Sequence, residues 1–178
     1  MTDNFNVVKV VLTHPTAKLP EYAKDGDAGA DVYAILKTQR YPQDTVARLE
    51  YYTSFGEKDN EEFYAQGDYL IAPGGTEMID LGFKIQLEPG WEIQVRSRSG
   101  MSKHGLVVAN SPGTIDSGYR GPCMVLLHNN TSSWRVIKPG TRVAQFVLKR
   151  APQALFREVD ELDVSERGEG GFGSTGTK

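Results

Sequence analysis

The chain has 178 residues and a formal net charge of −3, and 39% of its residues are hydrophobic. This length suits one domain with its own core, and the weak negative charge argues against broad electrostatic binding to nucleic acid. The single cysteine, Cys123, excludes an internal disulfide, and His14, His104 and His128 lack zinc-ligand spacing. The sequence shows neither a signal segment nor an apolar run of membrane length, so we expect a cytoplasmic protein with no membrane contact.

Period-two alternation of apolar and polar residues indicates β-strands along most of the chain. In Leu81–Leu87 every second residue is apolar, and Trp91–Val95 has the same pattern, so one face of each strand lies in the core. Pro-Gly pairs mark turns between the strands. Short strands with many turns favour an all-β sandwich or barrel. The predicted strands are, in chain order, 7–12, 81–87, 91–95, 123–127 and 143–148.

Residues 35–71 interrupt the strand pattern. The segment holds four basic and seven acidic residues, and seven aromatic ones. A flexible linker would be poor in aromatics, so we interpret it as an ordered insertion with a short helix over 45–49 capped by Asp44. Aromatics beside charges also occur at protein interfaces. The segment either packs on its own protein or offers a surface to a partner.

Two polar groups near strand ends are candidate site residues, and the second of them suits a phosphate. Asp31 follows Gly29 at the start of an apolar run, where an ordinary turn aspartate is the alternative. Arg98, Ser99 and Gly100 supply a charge, a hydroxyl and an open backbone directly after a predicted strand. The alternative for these three is a basic surface turn.

A third candidate region runs from Asn110 to Pro122 and is predicted to be a β-hairpin with a wide turn. Asp116 follows the apolar Ile115, so we expect a partly desolvated carboxylate suited to act as a general base. Tyr119 offers a ring to pack under a sugar. The alternative is an ordinary turn aspartate and a surface tyrosine. Further on, Gln145 lies in an apolar strand, where it either fixes a phosphate or satisfies buried backbone.

The last twelve residues, 167–178, combine five glycines with one cation, Arg167, and one aromatic ring, Phe172. Glycines allow close approach of backbone N–H groups to an anion, and arginine matches phosphate oxygens. The composition therefore indicates an arm that closes over a nucleotide, with a flexible terminus as the alternative. A P-loop is excluded, because Gly176 is followed by Thr177 rather than lysine.

Taken in this order, five segments resemble the five motifs of the trimeric dUTPase family (deoxyuridine triphosphate nucleotidohydrolase). The resemblance implies a β jelly-roll subunit of a homotrimer, with residues 1–165 as the domain and 166–178 as a flexible arm. It implies active sites assembled from neighbouring subunits and Mg²⁺-dependent hydrolysis of dUTP to dUMP and pyrophosphate. The segments are Ala28–Val32, Arg98–Met101, Gly113–Gly121, Arg142–Val147 and Arg167–Gly176.

The same resemblance assigns roles to individual residues. Asp116 is expected to activate the attacking water, Tyr119 to stack below deoxyribose, and Asp31 to hold Mg²⁺ through water. The expected uracil readers are Asn110 and the main chain near Thr114, Ile115 and Met124. The expected phosphate and arm residues are Arg98, Ser99, Gly100, Gln145, Arg167, Phe172, Ser174, Thr175 and Gly176.

Residues 35–71 form a connection roughly thirty residues longer than the usual strand connection, which resembles inserts of phage-encoded family members. Such relatives are associated with a repressor partner, and a phage protein would work in the host cytoplasm. Two other activities remain alternatives. A dCTP deaminase shares the fold but has a glutamate where Met124–Leu127 has no acid. A nucleotide-responsive regulatory protein is the non-enzymatic alternative.

Overall fold

Alternating apolar residues build an almost entirely β structure in this computed structural model, which describes residues 7–37 and 67–171. The predicted strands are confirmed, with no end shifted by more than two residues. Within these two ranges there is one helix, α1 (Ser99–Lys103). The strands are β1 (Lys9–Leu12), β2 (Ala30–Tyr33), β3 (Tyr69–Ile71), β4 (Thr76–Asp80), β5 (Phe83–Gln86), β6 (Trp91–Arg96), β7 (Leu106–Val108), β8 (Gly113–Asp116), β9 (Met124–Asn129), β10 (Arg135–Ile137) and β11 (Arg142–Arg150).

All strand pairs are antiparallel, and they form two main sheets with the orders β2-β11-β6-β8 and β4-β9-β7. Two further pairs, β1-β5 and β10-β3, extend the layers. The ring of Phe83 on β5 meets Phe146 on β11 edge-on at 6.0 Å between centroids, so the core lies between the layers. This arrangement confirms the all-β jelly-roll prediction. Fully buried core side chains include Val32, Ile71, Ile79, Leu81, Phe83, Val125, Leu127 and Val143.

The predicted hairpin over 110–122 is wrong. Strand β8 pairs with β6, while β9 pairs with β4 and β7 in the other sheet. Residues 117–123 therefore carry the chain from one sheet to the other. Ile115 on β8 is buried and its neighbours Thr114 and Asp116 are exposed, but such a pattern says nothing about which strand lies beside β8.

The two ends of the 35–71 segment belong to the core. Ile35 is buried and β3 pairs with β10. The N–H of Lys37 donates to the carbonyl of Gly67 at 2.7 Å, so the two described residues that flank 38–66 lie side by side. The predicted helix over 45–49 and the partner surface lie outside the described residues. No helix in the described ranges is long and apolar enough to cross a membrane.

After β11, several large apolar side chains in the described part of the chain are exposed to solvent. Leu155, Phe156, Leu162 and Val164 are 86%, 93%, 88% and 101% exposed. Residues 151–171 contain no strand or helix. Burial of apolar side chains of this size normally stabilises a fold. In the single subunit these side chains are not buried, so they contribute little to its stability.

Candidate functional site

A buried carboxylate, Asp31, collects three donor side chains on the outer face of the larger sheet. The β2-β11 register places Gln145 directly opposite Asp31, and its Nε2 donates to Asp31 Oδ1 at 3.2 Å. Arg98 donates from Nε to Oδ1 at 2.7 Å and from Nη2 to Oδ2 at 3.2 Å. Arg142 Nη1 donates to Oδ2 at 3.2 Å. These four hydrogen bonds occupy the roughly four acceptor sites of the carboxylate.

The cluster fixes the position of positive charge. Asp31 is 3% exposed, and a buried carboxylate is tolerated only when it is paired and hydrogen-bonded. Two guanidinium groups around one carboxylate leave an excess of one positive charge, and the Arg142 side chain is 50% exposed. This excess charge suits an anion such as phosphate.

Sequence reasoning placed Arg142 in a motif without giving it a role, and the structure adds it to the cluster. Arg142 and Gln145 are three residues apart, which in a regular strand puts side chains on opposite faces. A register shift between Arg142 and Ala144 brings both to Asp31. Gly29 makes room for this, since a Cβ there would lie 3.2 Å from the Gln145 side chain.

Ser99 and Gly100 begin α1 directly after Arg98, which has extended dihedral angles. The first N–H groups of a helix have no partner within it. Ser97 holds this turn in place, because its Oγ accepts a hydrogen bond from the N–H of Val108 at 2.8 Å. The structure therefore brings Asp31, Arg98, Ser99, Gly100 and Gln145 together at one end of the sheet.

Asp116 lies at the other end of the same sheet, and the expectation that it is partly desolvated is wrong for the single subunit. Its side chain is exposed, whereas Ile115 beside it is 8% exposed. The reason is the strand period of two, which turns neighbours to opposite faces. In the register of β6 and β8, Asp116 lies opposite Glu92.

The predicted uracil readers surround this strand. Asn110 lies over Gly113, where a Cβ would approach its Nδ2 to 3.0 Å. Thr114 is exposed on β8 and Ile115 faces the core. Met124, 37% exposed, begins β9 in the other sheet. Thr114 and Ile115 therefore lie on one sheet and Met124 on the other, joined by residues 117–123.

Tyr119 is held in one orientation by the turn that follows Asp116. Its hydroxyl donates to the carbonyl of Pro122 at 3.0 Å, and its N–H donates to the carbonyl of Asp116 at 3.1 Å. The ring is 44% exposed. Arg120 Nη1 donates to the carbonyls of Ser117 at 2.6 Å and Tyr119 at 2.7 Å. An exposed ring with a fixed orientation can serve as a platform for a ligand.

The two groups of site residues do not meet within one subunit. Glu92, the partner of Asp116, precedes Arg98 by six residues of extended chain. At about 3.3 Å per residue, Asp116 and Arg98 lie on the order of 20 Å apart along the strand. A base must be within about 3 Å of the proton that it takes, so one subunit cannot place both groups on the same phosphate.

Arg167 also stands apart from both groups. Its Nε donates to the carbonyl of Gly170 at 2.9 Å within a local turn. Phe172, Ser174, Thr175 and Gly176 lie outside the described residues. Their predicted contacts with base and phosphate stay predictions.

Two ionisable groups near these strands are held neutral. Burial, together with the hydrogen bond to Glu21 at 3.0 Å, raises the pKa of Tyr33 above its ordinary value. Burial raises the pKa of Cys123 to about 11. The thiolate is the reactive form of cysteine, so nucleophilic catalysis by Cys123 is excluded at neutral pH.

Solved phage dUTPases share this fold. The structure superposes on the Staphylococcus bacteriophage 80alpha dUTPase with dUPNHPP at a TM-score of 0.74 and 23% identity, over 97% of this chain and 100% of that one. The dUTPase of phage phi11 of S. aureus, described with a species-specific insert, gives a TM-score of 0.66 at 18% identity, over 89% and 99%. At these identities the likeness concerns the fold alone.

The sequence is similar to one family of proteins. The family model described as dUTPase matches residues 62–176. The deoxyuridine 5'-triphosphate nucleotidohydrolase of Clostridium kluyveri is 42% identical over 162 residues, which cover 90% of this chain and 92% of that protein. The protein of the same name from Alkaliphilus metalliredigens is 38% identical over 175 residues, covering 98% and 99%. With these matches over most of its length, the chain belongs to the dUTPase family.

Proposed function

We propose that the protein is a dUTP diphosphatase, which hydrolyses dUTP to dUMP and pyrophosphate. The observation that carries this function is its 42% identity to a deoxyuridine 5'-triphosphate nucleotidohydrolase over 90% of its length. The charge excess around Asp31 and the exposed carboxylate of Asp116 supply the two kinds of group that the reaction needs. We further propose that it works in the cytoplasm.

Asp116 is the general base in this proposal. Its carboxylate takes a proton from a water molecule while the water oxygen forms a bond to the α-phosphorus. The bond from the α-phosphorus to the bridging oxygen breaks in line, and pyrophosphate leaves with the electron pair. Exposure of Asp116 on β8 leaves its carboxylate open to a ligand from outside the subunit. Base catalysis of this kind contributes about 10²–10⁴-fold to a rate.

Arg98, Arg142 and Gln145 bind the triphosphate in this proposal, together with the first N–H groups of α1. Asp31 acts by holding these donors in place, because its own oxygens accept four hydrogen bonds. Prearranged donors stabilise developing negative charge without reorganising during the reaction. This role for Asp31 rests on observed contacts, while its predicted hold on a metal through water does not.

Magnesium fits the site only as an ion that the triphosphate binds. Residues 7–37 and 67–171 contain no group of three or more His, Cys, Asp and Glu side chains able to hold a metal. Mg²⁺ commonly keeps several waters and binds substrate phosphates with few protein ligands. Bound there, it would neutralise charge on the leaving pyrophosphate. Asp31 is the buried carboxylate beside the phosphate-binding arginines, and its oxygens already accept four hydrogen bonds, so a bound Mg²⁺ would be held mainly by the triphosphate.

A homotrimer with shared active sites would unite the separated groups. The distance of about 20 Å between Asp116 and Arg98 favours an arrangement in which the two act on one substrate from different copies of the chain. The exposed Leu155, Phe156 and Leu162 favour a segment that packs on a neighbour. In this assembly the arm would bring Arg167, Phe172, Ser174, Thr175 and Gly176 to a neighbouring site.

Selection of deoxyuridine would come from the second group of residues. Asn110 and the main chain of Thr114, Ile115 and Met124 would present donors and acceptors to the base in this proposal. Tyr119 would lie below the deoxyribose and leave no room for a 2′-hydroxyl. Its fixed ring orientation supports this role.

A repressor-type partner that binds the 35–71 segment is a separate proposal. The hydrogen bond between Lys37 and Gly67 joins the two flanks of residues 38–66, which supports a partner role that leaves the core unchanged. A bacterial relative matches 98% of this chain over 99% of its own length, so a chain of this length is not restricted to phage proteins. Any partner therefore has to be identified by direct binding.

The test of the proposed function is a product assay on the purified protein. Pyrophosphate should appear from dUTP in the presence of Mg²⁺, and no ammonia should appear from dCTP. Ammonia from dCTP would instead identify a deaminase. Light scattering on the same sample should give three times the subunit mass of 19.7 kDa, and a monomer would refute the shared site.

A further inference from the structure

The turn after Asp116 contains a glycine that the Tyr119 ring covers. A Cβ at Gly121 would lie 2.4 Å from the Tyr119 hydroxyl oxygen, 2.6 Å from Cζ and 3.0 Å from Cε2. Carbon atoms in contact are normally about 3.5–4.0 Å apart. The ring therefore rests in space that exists only because residue 121 has no side chain.

From this contact we propose that Gly121 determines sugar specificity by fixing the position of the Tyr119 ring. The inference rests on the proposed function, in which Tyr119 lies below deoxyribose. Any side chain at 121 would push the ring outward by about 1 Å or more, given ordinary contact distances. The hydroxyl would then lose its 3.0 Å hydrogen bond to Pro122, and the gap beside the sugar would change.

The backbone does not need glycine at this position. Gly121 has no positive φ, unlike Gly82, Gly105 and Gly140 elsewhere in the chain. An alanine can adopt its conformation without the strain that a left-handed residue brings. The close contact with Tyr119 is therefore the reason that position 121 needs a glycine. A substitution of Gly121 should affect activity by displacing the Tyr119 ring.

Arg120 gives the ring a second support. Its Nη1 bridges the carbonyls of Ser117 and Tyr119 at 2.6 and 2.7 Å, which closes the turn around the Tyr119 main chain. With the backbone closed and the hydroxyl anchored, the ring has one resting position. Discrimination against one extra hydroxyl group needs such a position, because a site that adapts would accept both sugars.

The matched variants are Gly121→Ala and Gly118→Ala. Both add one methyl group to the same turn, but a Cβ at Gly118 would meet nothing within 4 Å. The measurement is kcat/KM for dUTP and for UTP, with thermal melting as a check of folding. Gly121→Ala should lower the dUTP-to-UTP ratio at least about tenfold, since a displacement of 1 Å can cost about a hundredfold in a positioned site. Gly118→Ala should keep the wild-type ratio.

A double-mutant cycle with Tyr119→Ala tests whether Gly121 acts through the ring. If it does, adding Gly121→Ala to Tyr119→Ala changes the ratio no further. An unchanged ratio in Gly121→Ala, or an equal drop in both backgrounds, overturns the inference. If Gly121→Ala fails to fold, Tyr119→Phe takes its place, because it removes the hydrogen bond to Pro122. Tyr119→Phe should then lower the dUTP-to-UTP ratio of kcat/KM. A wild-type ratio in Tyr119→Phe would also overturn the inference. Wild-type protein that does not hydrolyse dUTP would refute the proposed function instead.

Discussion

Replacing Asp31 by asparagine removes the charge around which the phosphate-binding donors are arranged. The asparagine oxygen can accept at one of the two positions, so at least two of the four hydrogen bonds are lost. At the other position an NH₂ group would face arginine N–H groups, donor against donor. We therefore expect Asp31→Asn to lower both stability and activity.

The structure sets the size of the effect. Hydrogen bonds to charged groups contribute about 1.5–3 kcal/mol each, so two of them would amount to about 3–6 kcal/mol. Arg142 is half exposed and can turn to water, which favours the lower end, about 3 kcal/mol. For a chain of this length that corresponds to a fall of about 6–12 °C in Tm. Displacement of Arg98 should lower kcat/KM for dUTP by about a hundredfold.

The assay is thermal unfolding at one fixed subunit concentration, because the stability of an oligomer depends on concentration. Asp25→Asn is the control, since it removes the same charge from an exposed residue of the preceding turn. The control should melt like the wild type. If Asp31→Asn also melts like the wild type and hydrolyses dUTP at the wild-type rate, the cluster has neither the structural nor the positioning role argued for it.

Four other outcomes are expected. Asp116→Asn should still bind dUTP but lose about 10²–10⁴-fold in turnover, measured as pyrophosphate release; normal turnover removes Asp116 from the mechanism. Chelation of Mg²⁺ should suppress hydrolysis and re-addition restore it, whereas a chelator-resistant rate argues against a metal. Replacing residues 38–66 by a short Gly-Ser linker between Lys37 and Gly67 should preserve hydrolysis and abolish partner binding; collapse of hydrolysis makes the segment structural. Phe172→Ala should slow turnover with the oligomer intact by light scattering, and an unchanged rate makes the arm incidental.

Strand faces were predictable from the sequence because they depend on a local period. The inward positions Ile93 and Val95 and the outward positions Gln94 and Arg96 follow directly from alternation. Pairing depends on contacts between distant segments, and alternation is the same for every candidate partner. That is why 110–122 was expected to pair with itself, whereas β8 pairs with β6.

The contacts within the candidate site were not predictable from the sequence. Asp31 was expected to face a metal, but its partners lie 67, 111 and 114 positions away in the sequence. Arg142 reaches it through a register shift in β11, and a bulge of this kind leaves little trace in a hydrophobic pattern. Asp116 was expected to be partly buried because of its apolar neighbour, although the strand period implies the opposite.

Asp116 is exposed in the single subunit, as are the apolar side chains that follow β11. A general base gains efficiency in a site from which water is excluded, yet Asp116 is open in the single subunit. The apolar side chains of Leu155, Phe156 and Leu162 are uncovered in the same subunit. An assembly that brings the cluster around Arg98 of one copy against Asp116 of another would bury the Asp116 carboxylate. Desolvation of the base would then be a property of the assembly, and dissociated subunits should lack activity even when correctly folded.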